Sequence, residues 1–436
     1  MKRRIVSMLL LVTVGISLLA GCSSEDKTHE KKENEKVELT MWTWFPSGDI
    51  LNPVIEEYEK EHPNVNIELS VLDSLAYQQK LPVALATDEK IDICGVQLNT
   101  MIQEISDYLT PLEGLLDETM PDWTEKYSQE HAEMLRNETD GELKFLTLVN
   151  VGSMVGYYNV EVFNELGLKV PTTIEEMRVV ADTIRVKKPE VMPVSFAGKD
   201  AWVQDEMMLT VLAQQNDYYN KLKYENAPYD APEMIKAFED YKKFFDMGIF
   251  TKDVMDLDYA TAADKFISGN AAMYFQGTWD AGLLSEQYRE NIGAKVNNVG
   301  AFALPVVDPS GKPAIRSYFE GGLAVTESCE YKEEAAEFVA YLTAGEGMQA
   351  LGQSFIGIPS KIDFKLDEGM LATQEEKDGY KLIQDLTLNA TSDRNNLPSF
   401  TEIAGAGVQR VILGETTVEE EIANLQVEWE SGKYGN

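Results

Sequence analysis

Between residues 37 and 96 the spacing of apolar side chains changes four times, and this alternation restricts the fold more than any other feature of the chain. The segment VELTMWT at 37–43 is rich in β-branched and apolar residues and reads as a strand. Ile50, Leu51, Val54, Ile55 and Tyr58 then fall on one helical face, until His62-Pro63-Asn64 stops the helix. Val65, Ile67, Leu69 and Val71 alternate, as in a strand buried on one side. Residues 77–87 return to a helical pattern in which Pro82 should start or kink the helix, and 91–96 read as a third, buried strand. Strand, helix, strand, helix, strand over about 55 residues predicts a parallel α/β unit.

The theme recurs downstream. Thr173-Ile174-Glu175-Glu176 is a capping box that opens a helix through Ile184. Amphipathic helices are predicted over 232–247, 259–268, 331–343 and 418–430, and the second of them feeds a strand at 271–276. A chain of 436 residues has room for two or three domains. It has no internal repeat and no long Pro/Gly/Ser linker, so two domains would share several short crossings.

The first 21 residues read as an address. Lys2, Arg3 and Arg4 precede an apolar run from Ile5 to Leu19, the pattern of a secretory signal and too short for a bilayer span of about 20 residues. The run closes on Leu19-Ala20-Gly21-Cys22, which resembles the bacterial lipobox, with Cys22 as the lipidated residue. Residues 22–36 hold no apolar side chain beyond that cysteine and are expected to form a flexible tether. Together these features predict a cell-membrane protein, lipid-anchored on the extracytoplasmic face. Cys94 and Cys329 are then the remaining thiols, read as small apolar core residues, with a disulfide between them left open.

Charge narrows the partners. With 38 Lys+Arg against 74 Asp+Glu, the formal net charge is −36, and loss of 1–21 removes three bases and no acid. Such a surface repels nucleic acid and does not dock on anionic lipid through a basic patch.

Several stretches carry a family resemblance. They are LTMWTW at 39–44 and YQQKLPVALATDEKID at 77–92. Gly141 to Leu148 follows, then Val155-Gly156-Tyr157-Tyr158-Asn159 with Leu166-Gly167-Leu168 and Pro171-Thr172-Thr173. FISGNAAMYFQGTW at 266–279 comes next, then Val299 to Pro305 with Glu320-Gly321-Gly322-Leu323-Ala324-Val325. In this order the sequence resembles the extracellular solute-binding proteins of ABC importers, in the carbohydrate-binding family 1 branch that includes maltose-binding protein. It departs where the family's Gly-Leu-Pro is Phe145-Leu146-Thr147. The resemblance implies an α/β, two-lobed periplasmic-binding-protein-like fold. Each lobe would be a mostly parallel sheet flanked by helices, with the ligand cleft at the interlobe hinge. Lobe one would hold 37–147 and 318–355, and lobe two 148–317 and 356–436. It further implies a monomer that takes no cofactor, captures a sugar or oligosaccharide, and passes it to permease subunits driven by a separate ATPase.

Sugar recognition requires flat aromatic surfaces against the C–H face of the ring and planar polar groups for its hydroxyls. In α/β sheets such groups belong at the carboxyl ends of strands. Trp44 and Phe45 follow the first strand and are candidate contacts; Trp42 is either core or a further contact. Gln97 and Asn99 follow the third strand, as contacts or as turn residues. Trp202 stands in a polar loop before an apolar helix, stacking on ligand or capping the lobe-two core. Trp279 follows Gly277 at a strand end and is the strongest candidate for a stacking platform. Asp280 beside it either accepts hydroxyl protons or caps a helix. Glu320 and Gly321 mark either a close backbone approach to ligand or a tight turn. Asn150 lies where a crossing is expected. Arg394 is either a fork for two hydroxyls or a solvated surface residue.

The chain holds three histidines, His29, His62 and His131, and no HExxH, GxSxG, Walker or CxxC pattern, which disfavours a histidine base and a histidine-rich metal site. A glycosidase needs only two carboxylates, so an extracellular glycoside-active enzyme is the alternative to a non-enzymatic receptor.

Overall fold

A computed structural model describes residues 36–98, 100–367, 369–394 and 397–433. The signal segment 1–21, Cys22, the tether up to residue 35 and Asn99 lie outside the described residues.

The first sheet is built from β1 (Val37–Thr43), β2 (Val65–Val71), β3 (Ile93–Val96) and β4 (Leu146–Ser153). The second takes β5 (Val155–Asn159), β6 (Met192–Ser195), β7 (Ala271–Gln276) and β8 (Val299–Ala303). The chain then returns to the first sheet through β9 (Arg316–Val325), β10 (Ile358–Pro359) and β11 (Ser392–Asp393). Strand order is β10-β4-β9-β3-β1-β2, with β11 on β9, and β6-β7-β5-β8 in the second sheet. Helices flank both sheets.

The expectation of mostly parallel sheets needs correction. β1 pairs in parallel with β2 and β3, but β9 is antiparallel to β3 and β4, and β5 is antiparallel to β7 and β8. The reason is topological. A strand that enters from the other lobe starts at the edge where its neighbours end, so it must run against them. β9 and β5 are those entering strands, and both sheets are mixed.

Local departures have local causes. β3 begins at Ile93 rather than 91 because the Asp92 carboxylate accepts the Thr40 N–H at 2.8 Å. The helix Ser74–Ala86 starts where Asp73 Oδ1 accepts the Ala76 N–H, which leaves Pro82 in the helix interior. The helix Gly48–Glu61 buries Leu51, Val54, Ile55 and Tyr58, each worth about 1.5–3 kcal/mol once out of water.

Two apolar cores result. The first gathers side chains from Val37 to Val151 and from Phe319 to Ile356; the second runs from Met154 to Ile315 and from Phe355 to Trp429. The chain therefore changes core three times, at 151–154, at 315–319 and around 355–358. Leu148, Val149 and Val151 pack in the first core, a few residues past the expected boundary at 147. Cys94 and Cys329 are both buried free thiols, which burial pushes up to about 12.

The helix Ala201–Ala213 is buried from Val203 to Ala213, yet it carries Gln204, Asp205 and Glu206. Burial pushes the Asp205 carboxyl up to about 8; Arg316 opposes the shift and Glu206 adds to it. The folded protein thus keeps a proton that the unfolded chain, with an ordinary Asp near 3.8, releases. Stability from this group is full below about pH 4 and is lost as pH rises through about 8. Asp205→Asn cannot ionise. Between pH 5 and pH 9 the wild type should lose at least about 1 kcal/mol relative to this variant. Urea midpoints at the two pH values measure this, and a difference that stays constant with pH contradicts it.

Candidate binding site

The carboxyl end of β1 turns on Thr43, whose hydroxyl donates to the Phe45 carbonyl at 2.8 Å and accepts the Phe45 N–H at 3.3 Å. The turn lays the half-buried Trp44 indole against Gly95, where a Cβ would sit 2.9 Å from the ring. Tyr77 braces the indole from 5.2 Å and donates its hydroxyl to the Gly95 carbonyl at 2.7 Å. Phe45 reaches β9, since a Cβ on Gly321 would stand 3.0 Å from its ring, and Gly321 has a φ of +69°. Trp42 packs on the first core. Gln97 is half-buried just beyond β3. Asn150, in β4, accepts the Ser317 hydroxyl across to β9.

The other lobe contributes a second set of rings. After β7 the chain enters a short 3₁₀ helix, Thr278–Leu284, and the Trp279 indole folds back over Gly277, where a Cβ would come within 2.2 Å of it. Trp279 is half-buried and packs on the first core, while its ring stands 6.2 Å from Trp202 of the second. Trp202 lies in the first turn of the helix Ala201–Ala213 rather than in the loop before it. Asp280 is not a helix cap, because Gly277 occupies that position. Its carboxylate accepts the hydroxyls of Tyr259 at 2.7 Å and Tyr274 at 2.9 Å. Burial nonetheless pushes it up to about 6, the two phenols opposing.

Arg394 joins the two sets. Its guanidinium lies 4.6 Å from the Trp279 ring centre and 4.8 Å from that of Tyr318, within reach of cation–π attraction on both. Its side chain is only 12% exposed, so it is not a solvated surface residue. Nε forms an ion pair with Glu206 Oε1 at 3.1 Å and donates to Ser153 Oγ at 3.2 Å. Glu206 Oε2 takes the Ser153 hydroxyl at 2.6 Å and Arg316 Nη1 at 2.9 Å. Arg316 is fully buried, lies over the Tyr219 ring, and donates to the Asp393 carbonyl from Nε and Nη2. Glu320, two residues from Tyr318 on β9, is buried; that pushes its carboxyl up to about 7, with the Arg394 charge opposing.

Phe45, Gly321, Glu320, Tyr318, Arg394, Trp279 and Trp202 thus form a continuous sequence of neighbours from one core to the other, while Trp44, Gln97 and Asn150 sit along β1, β3 and β4. Tyr318, Glu206, Ser153 and Arg316 escaped sequence reasoning. Glu206 alone left a local signal, three polar residues in an otherwise apolar helix. A surface hollow of about 480 Å³ lies elsewhere on the second lobe, between Arg185, Pro189, Asn270 and Lys265.

Two mixed α/β lobes, crossed three times by the chain, with rings and buried charge gathered at the crossings, define a two-lobed solute-binding fold. The model for the bacterial extracellular solute-binding protein family matches residues 42–349, and the chain belongs to that family. The multiple sugar-binding protein of Streptococcus mutans is 24% identical over 358 residues, 78% of this chain and 79% of its own. Among solved structures, a chitin oligosaccharide binding protein superposes with a TM-score of 0.72 at 21% identity, over 91% of this chain and 98% of that one. The maltose-bound MalE3 of T. maritima gives 0.72 at 15% identity, over 91% and 99%.

Proposed function

We propose that this protein is the lipid-anchored, extracytoplasmic receptor of an ABC importer, and that it captures a sugar or oligosaccharide between its lobes and hands it on unaltered. The observation that carries this reading is the set of aromatic rings from both lobes, with Tyr318 and Trp279 against one guanidinium, Phe45 against Gly321 and Trp202 beside Trp279. Aromatic faces take the apolar side of a pyranose, and a guanidinium or carboxylate takes paired hydroxyls. The names of the relatives, sugar-binding and oligosaccharide-binding, support the same ligand class.

The two lobes, divided at the crossings near 151–154, 315–319 and 355–358, close on a ligand that bridges them, because it binds the closed form more tightly than the open one. The closed form docks on permease subunits, and a separate ATPase supplies the energy. Residues 1–21 direct export, and Cys22 carries the lipid. Detergent-phase partition of the full chain expressed in bacteria tests the anchor, which fails if the protein stays in the aqueous phase.

A thermal-shift screen with maltotriose, chitotriose and xylotriose, set beside their monosaccharides, tests the ligand class. A bound ligand at a hundred times its Kd adds about 2.7 kcal/mol to stability, so the melting temperature should rise. The sugar should be recovered intact. Hydrolysis products would favour the glycoside-active enzyme instead.

A further inference from the structure

We propose that Glu206 is a positioning residue for the binding site: its carboxylate sets the in-plane orientation of the Arg394 guanidinium between Trp279 and Tyr318. The inference rests on the reading of Arg394 as a ligand contact.

Cation–π attraction to two rings holds a guanidinium near them but leaves open the direction in which its N–H edges point. That direction must come from ion pairs and hydrogen bonds. Among the described residues Arg394 gets it from one edge, where Nε pairs with Glu206 Oε1 and donates to Ser153 Oγ, which in turn donates to Glu206 Oε2. No hydrogen bond from its two Nη atoms to a described residue accompanies these. The Nε edge is therefore the anchored one, and the Nη edge is the one presented.

Glu206 gathers more arginines than Glu376 or Glu421, two other buried carboxylates of this lobe. Glu376 and Glu421 each pair with a single arginine, Arg289 and Arg410. Glu206 holds two arginines and a hydroxyl, and each comes from a different part of the chain. Ser153 belongs to the first crossing between the cores. Arg316 opens the second. Arg394 follows β11, which pairs with β9 beside that crossing. A ligand pulling on Arg394 pulls on the same carboxylate that both crossings hold.

Glu206→Gln keeps the shape but offers one acceptor oxygen in place of two. With whichever of maltotriose, chitotriose or xylotriose gives the largest thermal shift, calorimetry should show affinity falling about tenfold, the scale of a hydrogen bond to a charged group. Arg394→Ala should weaken binding in the wild type and add little in the Glu206→Gln background. Glu376→Gln, which also breaks a buried ion pair of this lobe, should lower stability and leave affinity unchanged. A folded Glu206→Gln that binds like wild type while Arg394→Ala binds weakly overturns the inference and spares the reading beneath it. An Arg394→Ala with full affinity overturns both. If Glu206→Gln does not fold, Ser153→Ala is the substitute, with a loss of about threefold expected and full affinity counting against the inference. If none of the three sugars binds, the Arg394 Nε–H resonance decides without ligand. Slow solvent exchange in wild type that becomes fast in Glu206→Gln supports the inference, and unchanged exchange overturns it.

Discussion

Replacement of Arg316 by methionine is expected to destabilise the folded protein by about 3 kcal/mol, the lower end of the range for breaking a buried ion pair. The side chain is fully buried, and its partner Glu206 is 1% exposed. Opposing effects set the size. Removing the cation leaves Glu206 ionised out of water, a cost of several kcal/mol if nothing else compensates. Arg394 Nε and the Ser153 hydroxyl remain on the same carboxylate and absorb part of that cost. The Asp393 carbonyl loses two donors, which adds to it. Methionine still covers the Tyr219 ring, so the packing term stays small. The shift of the urea midpoint at constant slope measures the total. Lys381→Met is the reference, since its pair with Asp385 is exposed on both sides and is worth about 0.3–0.5 kcal/mol. Equal shifts for the two variants would mean that the buried pair adds nothing beyond a surface one.

What the sequence conveyed and what it hid divide along one physical line. Periodicity and caps are local, so the strands at 37–43 and 65–71 and the capping box at Thr173 are where the residue pattern puts them. Strand direction is not local. Nothing within β9 says that it re-enters from the other lobe, and so its antiparallel pairing was invisible. The site divides in the same way. Trp279 is legible as a candidate because it follows Gly277 just past a strand end and matches the Gly-x-Trp of the family it resembles, and both signals are local. Arg394 was found as a candidate but left open between ligand fork and surface residue, because its anchor, Glu206, lies far away in sequence. Glu206 itself is 110 residues from Arg316. A carboxylate in a helix otherwise buried all round announces that a partner exists and does not say where. Asp280 shows a related limit: Gly277 holds the cap position, and the hydroxyls of Tyr259 and Tyr274 take the Asp280 carboxylate instead.

Trp279→Ala should weaken oligosaccharide binding by about 1–3 kcal/mol, or roughly 5- to 150-fold, the scale of losing an aromatic platform of this size. Trp279 is the ring that touches both lobes' residues: it packs on the first core, neighbours Trp202 of the second and bears the Arg394 guanidinium on one face. Its loss removes apolar area from the ligand and one wall of the slot that holds Arg394, and both effects act in the same direction. Stability should suffer less than affinity, because the side chain is only half-buried in the folded protein. Trp123 supplies the opposite case. It is 2% exposed in the first core and donates to Asp117 Oδ1 at 2.9 Å, so Trp123→Ala should lower stability and spare the affinity of whatever remains folded. Calorimetry on the two variants with the sugar selected by thermal shift separates these outcomes. A well-folded Trp279→Ala that binds as tightly as wild type would remove the platform and, with it, the reason for placing a sugar between these rings.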